Sequence, residues 1–125
     1  MSKGSKQKVV LTFNINHLIN SHGKKETGSS ILFFENGDVG YGSYRDSLFG
    51  QKYKVKRLLP ASEISKVELS TSAGDDTTMT VKISDTNGNV DVVRALILLK
   101  SRRNFYASQA PAILSALYKD RYSKL

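Results

Sequence analysis

The sequence predicts a mainly β domain, an antiparallel split barrel of seven strands capped by one C-terminal amphipathic helix. Three observations carry this prediction. Short runs of alternating apolar and polar residues recur from Lys8 to Leu99. Turn-forming clusters such as Asn36-Gly37 and Asp85-Thr86-Asn87-Gly88-Asn89 separate them. The spacing changes to a helical period only in the last quarter, from Phe105 to Tyr122.

In the first strand, Lys8 to Ile15, Val9, Leu11, Phe13 and Ile15 share one face. The segment from Asn16 to Ser30 is rich in turn formers and reads as a loop, with a helical turn around Leu18-Ile19. Ser30 to Glu35 is the second strand. Asn36-Gly37 then signals a type I′ hairpin, because both residues tolerate positive φ. The return strand, Asp38 to Tyr44, places Gly40 and Gly42 on one face, which marks a bend or a close backbone approach. Arg45 to Gln51 reads as a turn. Lys52 to Leu59 alternates again, with Tyr53 and Val55 on one face and Lys52, Lys54 and Lys56 on the other. Pro60 cannot extend a ladder and starts a corner. Ile64 to Ser70 follows, with Ile64 out of phase with Val67 and Leu69, so a bend is expected between them. Met79, Val81 and Ile83 align in the sixth strand, Thr77 to Ser84, and Val90 to Leu99 is the seventh. In the helix, Ala110, Ile113, Leu114, Leu117 and Tyr118 form one stripe, opposite Ser115 and Lys119; Ser108 is the expected N-cap and Pro111 falls in the first turn. Residues 1–7 read as a basic tail, 8–122 as a single domain and 123–125 as a second tail.

Composition narrows the function. The 125 residues are 39% hydrophobic, enough for one domain with a real core. With no cysteine there is no disulfide framework, thiolate zinc site or thiol nucleophile. His17 and His22 flank a turn without a third ligand nearby, so no metal site is expected. The run Ala95 to Leu99 is too short to span a bilayer, and the polar start Met1 to Lys6 lacks a signal-peptide apolar region. A cytoplasmic location is the expectation. Lys and Arg total 19 against 11 Asp and Glu, a net charge of +8 that points to an anionic partner.

The order of elements, together with Leu58-Leu59-Pro60-Ala61-Ser62-Glu63-Ile64-Ser65-Lys66-Val67, resembles the pleckstrin-homology-like superfold, which includes GRAM and bacterial pleckstrin-homology-like domains. The likeness spans Lys8 to Tyr122. It rests on the topology and on a proline corner leading into the fifth strand. The resemblance implies a binding module. It also implies that Lys24 and Lys25, between the first two strands, stand where phosphoinositide-binding members carry basic residues. The basic pair such members place early in the second strand is replaced here by Ser29, Ser30 and Ile31. The tryptophan usual in the helix is absent, leaving Leu114, Leu117 and Tyr118 to fill its space.

The candidate anion-binding residues are Lys24, Lys25, Lys52, Lys54, Lys56, Arg57, Lys100, Arg102 and Arg103. Tyr41, Tyr44, Tyr53 and Tyr106 are the candidates for stacking. Lysine on a strand also blocks edge-to-edge pairing, and the sequence leaves both readings of the Lys52-Lys54-Lys56 row open. Asp85, Asn87, Asn89 and Asp91 fail as a calcium loop, because Val90 stands at the glycine position and Leu96 at the glutamate position. No catalytic constellation and no cofactor motif is present in the sequence. The expected function is therefore a non-catalytic binding or adaptor module for an anionic partner, either an acidic peptide or protein or an anionic membrane surface. The alternatives are a nucleic-acid-binding protein using the basic residues with tyrosine stacking, and a small subunit of a homo-oligomer or larger assembly joined at a strand edge.

Overall fold

A computed structural model of the chain describes residues 7–15, 17–20, 29–71, 78–96 and 100–124. Eight strands precede the helix: β1 (Val9–Asn14), β2 (His17–Asn20), β3 (Ser30–Phe34), β4 (Val39–Ser47), β5 (Gly50–Leu59), β6 (Ile64–Thr71), β7 (Thr78–Asp85) and β8 (Val90–Leu96). Helix α1 (Lys100–Tyr118) follows, then one 3-10 turn (Lys119–Arg121) and a short strand β9 (Tyr122–Lys124). The strands form two sheets in the orders β1-β3-β4-β5 and β2-β8-β7-β6-β9, and neither closes on itself as a barrel. Among the described residues all pairings are antiparallel except β6 with β9.

The chain changes sheets three times: between β1 and β2, between β2 and β3, and between β5 and β6. The last change is made by Pro60 and the 3-10 turn Ala61–Glu63, where a side-chain oxygen of Asp38 accepts the Ala61 N–H at 2.7 Å. Pro60 ends the first sheet as expected, since it has no N–H to offer a ladder. The bend inferred between Ile64 and Val67 is a break in register between Ile64 and Lys66, which brings Ile64, Val67 and Leu69 all inward.

Several expectations need correction. The segment read as a loop with a helical turn holds β2, paired with β8 from His17↔Arg94 to Asn20↔Asp91. Four residues are too few for a periodic signal, and the neighbouring turn formers masked it. The turn after β3 is not type I′. Asn36 does not have positive φ; Gly37 alone does (φ +94), after the Gly37 N–H···O=C Phe34 bond, a type I turn followed by a left-handed glycine. Helix α1 begins at Lys100, so Ser108 is not its N-cap and Pro111 lies in its interior. Interior proline costs about 3 kcal/mol. Burial of Ala110, Leu114 and Tyr118 on the core, with Ile113 and Leu117 packed alongside, overrides it. Residues 123 and 124, read as a tail, belong to β9.

The main core lies between the sheets under α1. Leu11, Phe13, Ile31, Phe33, Val39 and Tyr41 come from the first sheet; Val67, Leu69, Met79, Val81, Ile83, Val93 and Ala95 come from the second. Tyr118 is fully buried in this core. Its ring meets Phe33 edge-on at 6.3 Å, and its hydroxyl donates to the Gly37 carbonyl at 2.8 Å, pinning the β3–β4 turn to the helix. Among the described residues no helix is long and apolar enough to cross a membrane.

Candidate anion-binding hairpin

β3 starts at Ser30, paired with Gly42, but β4 and β5 continue past it as a two-stranded arm. Within the arm Ser43 faces Lys54, Tyr44 faces Tyr53, Arg45 faces Lys52 and Ser47 faces Gly50. Alternation alone ends the strands at Tyr44 and Lys52. The structure extends them almost to the apex, Leu48-Phe49.

Glycines set where the arm joins the sheet. A Cβ at Gly42 would overlap the Lys54 carbonyl, and one at Gly40 would come within 3.0 Å of the Phe34 ring. This is the close approach that the glycine pair signalled. At the same level the register slips, so that Tyr41↔Arg57 is followed by Gly42↔Val55 and Lys56 is the extra residue of a bulge.

The arm packs on the face of the first sheet that points away from the main core. There Val9, Leu32 and Phe34 form a second small cluster with Tyr44 and Tyr53. Tyr53 meets Phe34 at 5.2 Å and its hydroxyl donates to the Gln7 carbonyl at 2.8 Å. The Gln51 amide bonds the Val9 backbone twice, accepting its N–H at 3.0 Å and donating to its carbonyl at 2.9 Å.

Strand alternation puts Tyr44, Asp46, Gln51 and Tyr53 on one face of the arm, and Ser43, Arg45, Lys52 and Lys54 on the other. Ser43, Tyr44, Arg45, Lys52, Tyr53 and Lys54 line an open groove of about 570 Å³. Arg45 and Lys52 are direct cross-strand neighbours, an arrangement that repels in the absence of a counter-charge. Arg45, Lys52 and Lys54 are exposed and have no ion-pair partner among the described residues. The arm's one carboxylate, Asp46, accepts the Tyr44 hydroxyl at 2.8 Å. Burial, then the hydrogen bond and charge of Asp46, push the Tyr44 phenol up to about 12.

The structure thus brings together Lys52, Lys54, Tyr44 and Tyr53 from the sequence candidates and adds Arg45. Other candidates fall elsewhere. Arg57 is not available to an external anion, because its guanidinium bonds Asp91 Oδ2 at 2.7 Å and lies 4.3 Å over the Tyr41 ring. Tyr41 presents no surface for stacking: it is fully buried and its hydroxyl donates to the same Asp91 oxygen at 2.7 Å. Burial, reinforced by Asp91, raises its phenol well above the ordinary value. Asp91 lies in the strand expected from Val90 and faces inward, two residues before Val93. Lys56 is exposed in the bulge, outside the groove lining. Lys100, Arg102 and Arg103 fall within α1, not before it, and Tyr106 lies in it as expected; only the backbone of these four is described, and Lys24 and Lys25 lie outside the described residues. Asp85 spends its oxygens on its own loop, Oδ1 accepting the Asn87 and Asn89 N–H groups at 2.8 and 2.9 Å.

The sequence matches no protein-family model and no curated protein.

Proposed function

We propose that this chain is a non-catalytic binding module that recognises an anionic partner through the β4–β5 arm. One observation carries the reading: Arg45, Lys52 and Lys54 crowd one groove, two of them directly opposed, with no neutralising carboxylate among the described residues. A cationic row of this kind steers and holds an anion, and it relieves its own repulsion when the anion arrives. The architecture supports the pleckstrin-homology-like reading, with four strands in the first sheet, a proline corner, and a helix after the final antiparallel strand. Nucleic-acid stacking is less well supported, because the Tyr53 ring and hydroxyl are engaged by Phe34 and Gln7 and Tyr41 is enclosed.

The test is an amide chemical-shift titration with a glutamate-rich peptide and, separately, a short single-stranded oligonucleotide, each at low and physiological salt. Saturable shifts over residues 43–54 that weaken with salt, and that vanish in Lys52→Glu/Lys54→Glu, are expected with both polyanions. Ring-proton shifts of Tyr44 and Tyr53 with the oligonucleotide alone would transfer the assignment to nucleic acid. Shifts mapping away from the arm, or none at low salt, would overturn the proposal.

A further inference from the structure

At the apex of the arm, Leu48 is 99% and Phe49 is 91% exposed. Exposed apolar side chains are ordinary when scattered singly, but two adjacent large ones at the tip of a projecting hairpin form a wedge. Among the described residues the other large exposed apolar side chains, Leu58 at 51% and Val55 at 37%, are far more covered. Gly50, with φ +111, makes the tight turn that presents the pair.

The cations stand at a fixed distance behind the wedge. Arg45 precedes Leu48 by three residues and Lys52 follows Phe49 by three. At about 3.3 Å per residue, their backbone lies roughly 10 Å from the tip. Interfacial segments bury their apolar face about 5–10 Å into the boundary between headgroups and acyl chains. A tip at that depth sets Arg45 and Lys52 at the level of the phosphates, with Lys54 just above. Asp46 is on the opposite face of the arm, tied to Tyr44. An acidic peptide would use the cations and leave the wedge in water. A bilayer uses both.

From this juxtaposition we infer that the partner is an anionic phospholipid bilayer, entered by Leu48 and Phe49 while Arg45, Lys52 and Lys54 hold its headgroups. The inference rests on the anion-binding reading of the same arm and names its ligand. Each fully buried side chain of this size multiplies partitioning by about tenfold or more. Each basic residue at a negatively charged surface adds about fivefold. Neither set suffices alone, in keeping with the two signals that stable peripheral anchoring requires.

The test is sedimentation of the full chain with vesicles of phosphatidylcholine alone and of phosphatidylcholine with phosphatidylserine. The chain has no tryptophan, so Phe49→Trp supplies a single reporter of depth. Binding to the phosphatidylserine vesicles only, with tryptophan emission quenched by brominated acyl chains, is expected. Leu48→Ser/Phe49→Ser should lower vesicle binding about a hundredfold or more with an unchanged melting temperature. That variant should keep the shifts produced by the glutamate-rich peptide. Lys52→Glu/Lys54→Glu should lose both. Undiminished vesicle binding by the serine variant, an unquenched tryptophan, or wild-type binding to the peptide but not to vesicles would overturn the inference and leave the anion-binding reading standing. Loss of every polyanion response would overturn both.

Discussion

Asp91 is the place to test whether a buried polar cluster, and not apolar packing alone, fastens the two sheets together. One oxygen, Oδ2, accepts from Tyr41 on β4 and Arg57 on β5, both at 2.7 Å, while Asp91 itself belongs to β8 in the other sheet. Asp91→Ala removes the acceptor and leaves a phenol in the core without a partner, which costs about 1–3 kcal/mol. It also strands the Arg57 guanidinium, whose side chain is 28% exposed and whose Nε is already buried without a hydrogen bond. Water can reach part of that charge, so its share falls below the 3–5 kcal/mol of a fully buried pair broken on one side. Together the loss is about 3–4 kcal/mol, a large part of the 5–15 kcal/mol typical of a domain. Thermal unfolding followed by circular dichroism should show a fall of roughly 10–20 °C. The triple variant Tyr41→Phe/Arg57→Met/Asp91→Leu removes every orphaned group and should be more stable than Asp91→Ala alone. A loss under about 1 kcal/mol for Asp91→Ala, or a triple variant less stable than the single one, would refute the reasoning.

Three further outcomes follow from the arm and the tyrosines. Gly42→Ala should destabilise by about 1–3 kcal/mol in urea unfolding, since its Cβ would collide with the Lys54 backbone, and should weaken polyanion binding by displacing Lys54. Gln51→Ala should cost about 1–2 kcal/mol and speed amide exchange at Val9, whose N–H and carbonyl lose their side-chain partners. Tyr41, Tyr44, Tyr118 and Tyr122 all have folded-state values raised above 10.0, chiefly by burial, so the folded state holds its phenolic protons more tightly. Their stabilisation is complete below about pH 10 and is lost as pH rises further. A pH series of urea midpoints should therefore fall above about 10, with tyrosinate absorbance rising alongside unfolding; a flat midpoint with early ionisation would contradict this.

Much of the fold is legible because period-2 alternation survives wherever one face is buried. Met79, Val81 and Ile83 align as their spacing requires, as do Leu11 and Phe13. What escapes is non-periodic. β2 is four residues long, and β9 is three and pairs parallel with a strand more than fifty residues away. Phe34 and Leu32 are buried on the face opposite Ile31 and Phe33 because the arm covers them, which no local pattern announces. In the candidate site, Lys52, Lys54, Tyr44 and Tyr53 could be named from composition and alternation. Arg45 is hidden because Gly50 makes its surroundings look like a turn, and Arg57 is set apart only by Asp91, which arrives from the other sheet. The palindrome-like spacing of Tyr44-Arg45 and Lys52-Tyr53 about Leu48-Phe49 was the available signal for a longer hairpin.

Strand β9 has a consequence for the order in which the molecule assembles. Residues 118–124 make several sequence-distant closures: Tyr118 to Gly37, Arg121 to the Ala61 and Ile64 carbonyls, and β9 to β6. They are also synthesised after every partner they bind. Until they emerge, the edge of β6 beside the helix is an open row of peptide groups, and the hydroxyl that locks the β3–β4 turn is missing. Such long loops carry a large closure entropy and are rewarded only once both sheets stand. A nascent chain therefore waits, nearly complete in secondary structure but unlatched, for a seven-residue stretch to turn it into a finished domain.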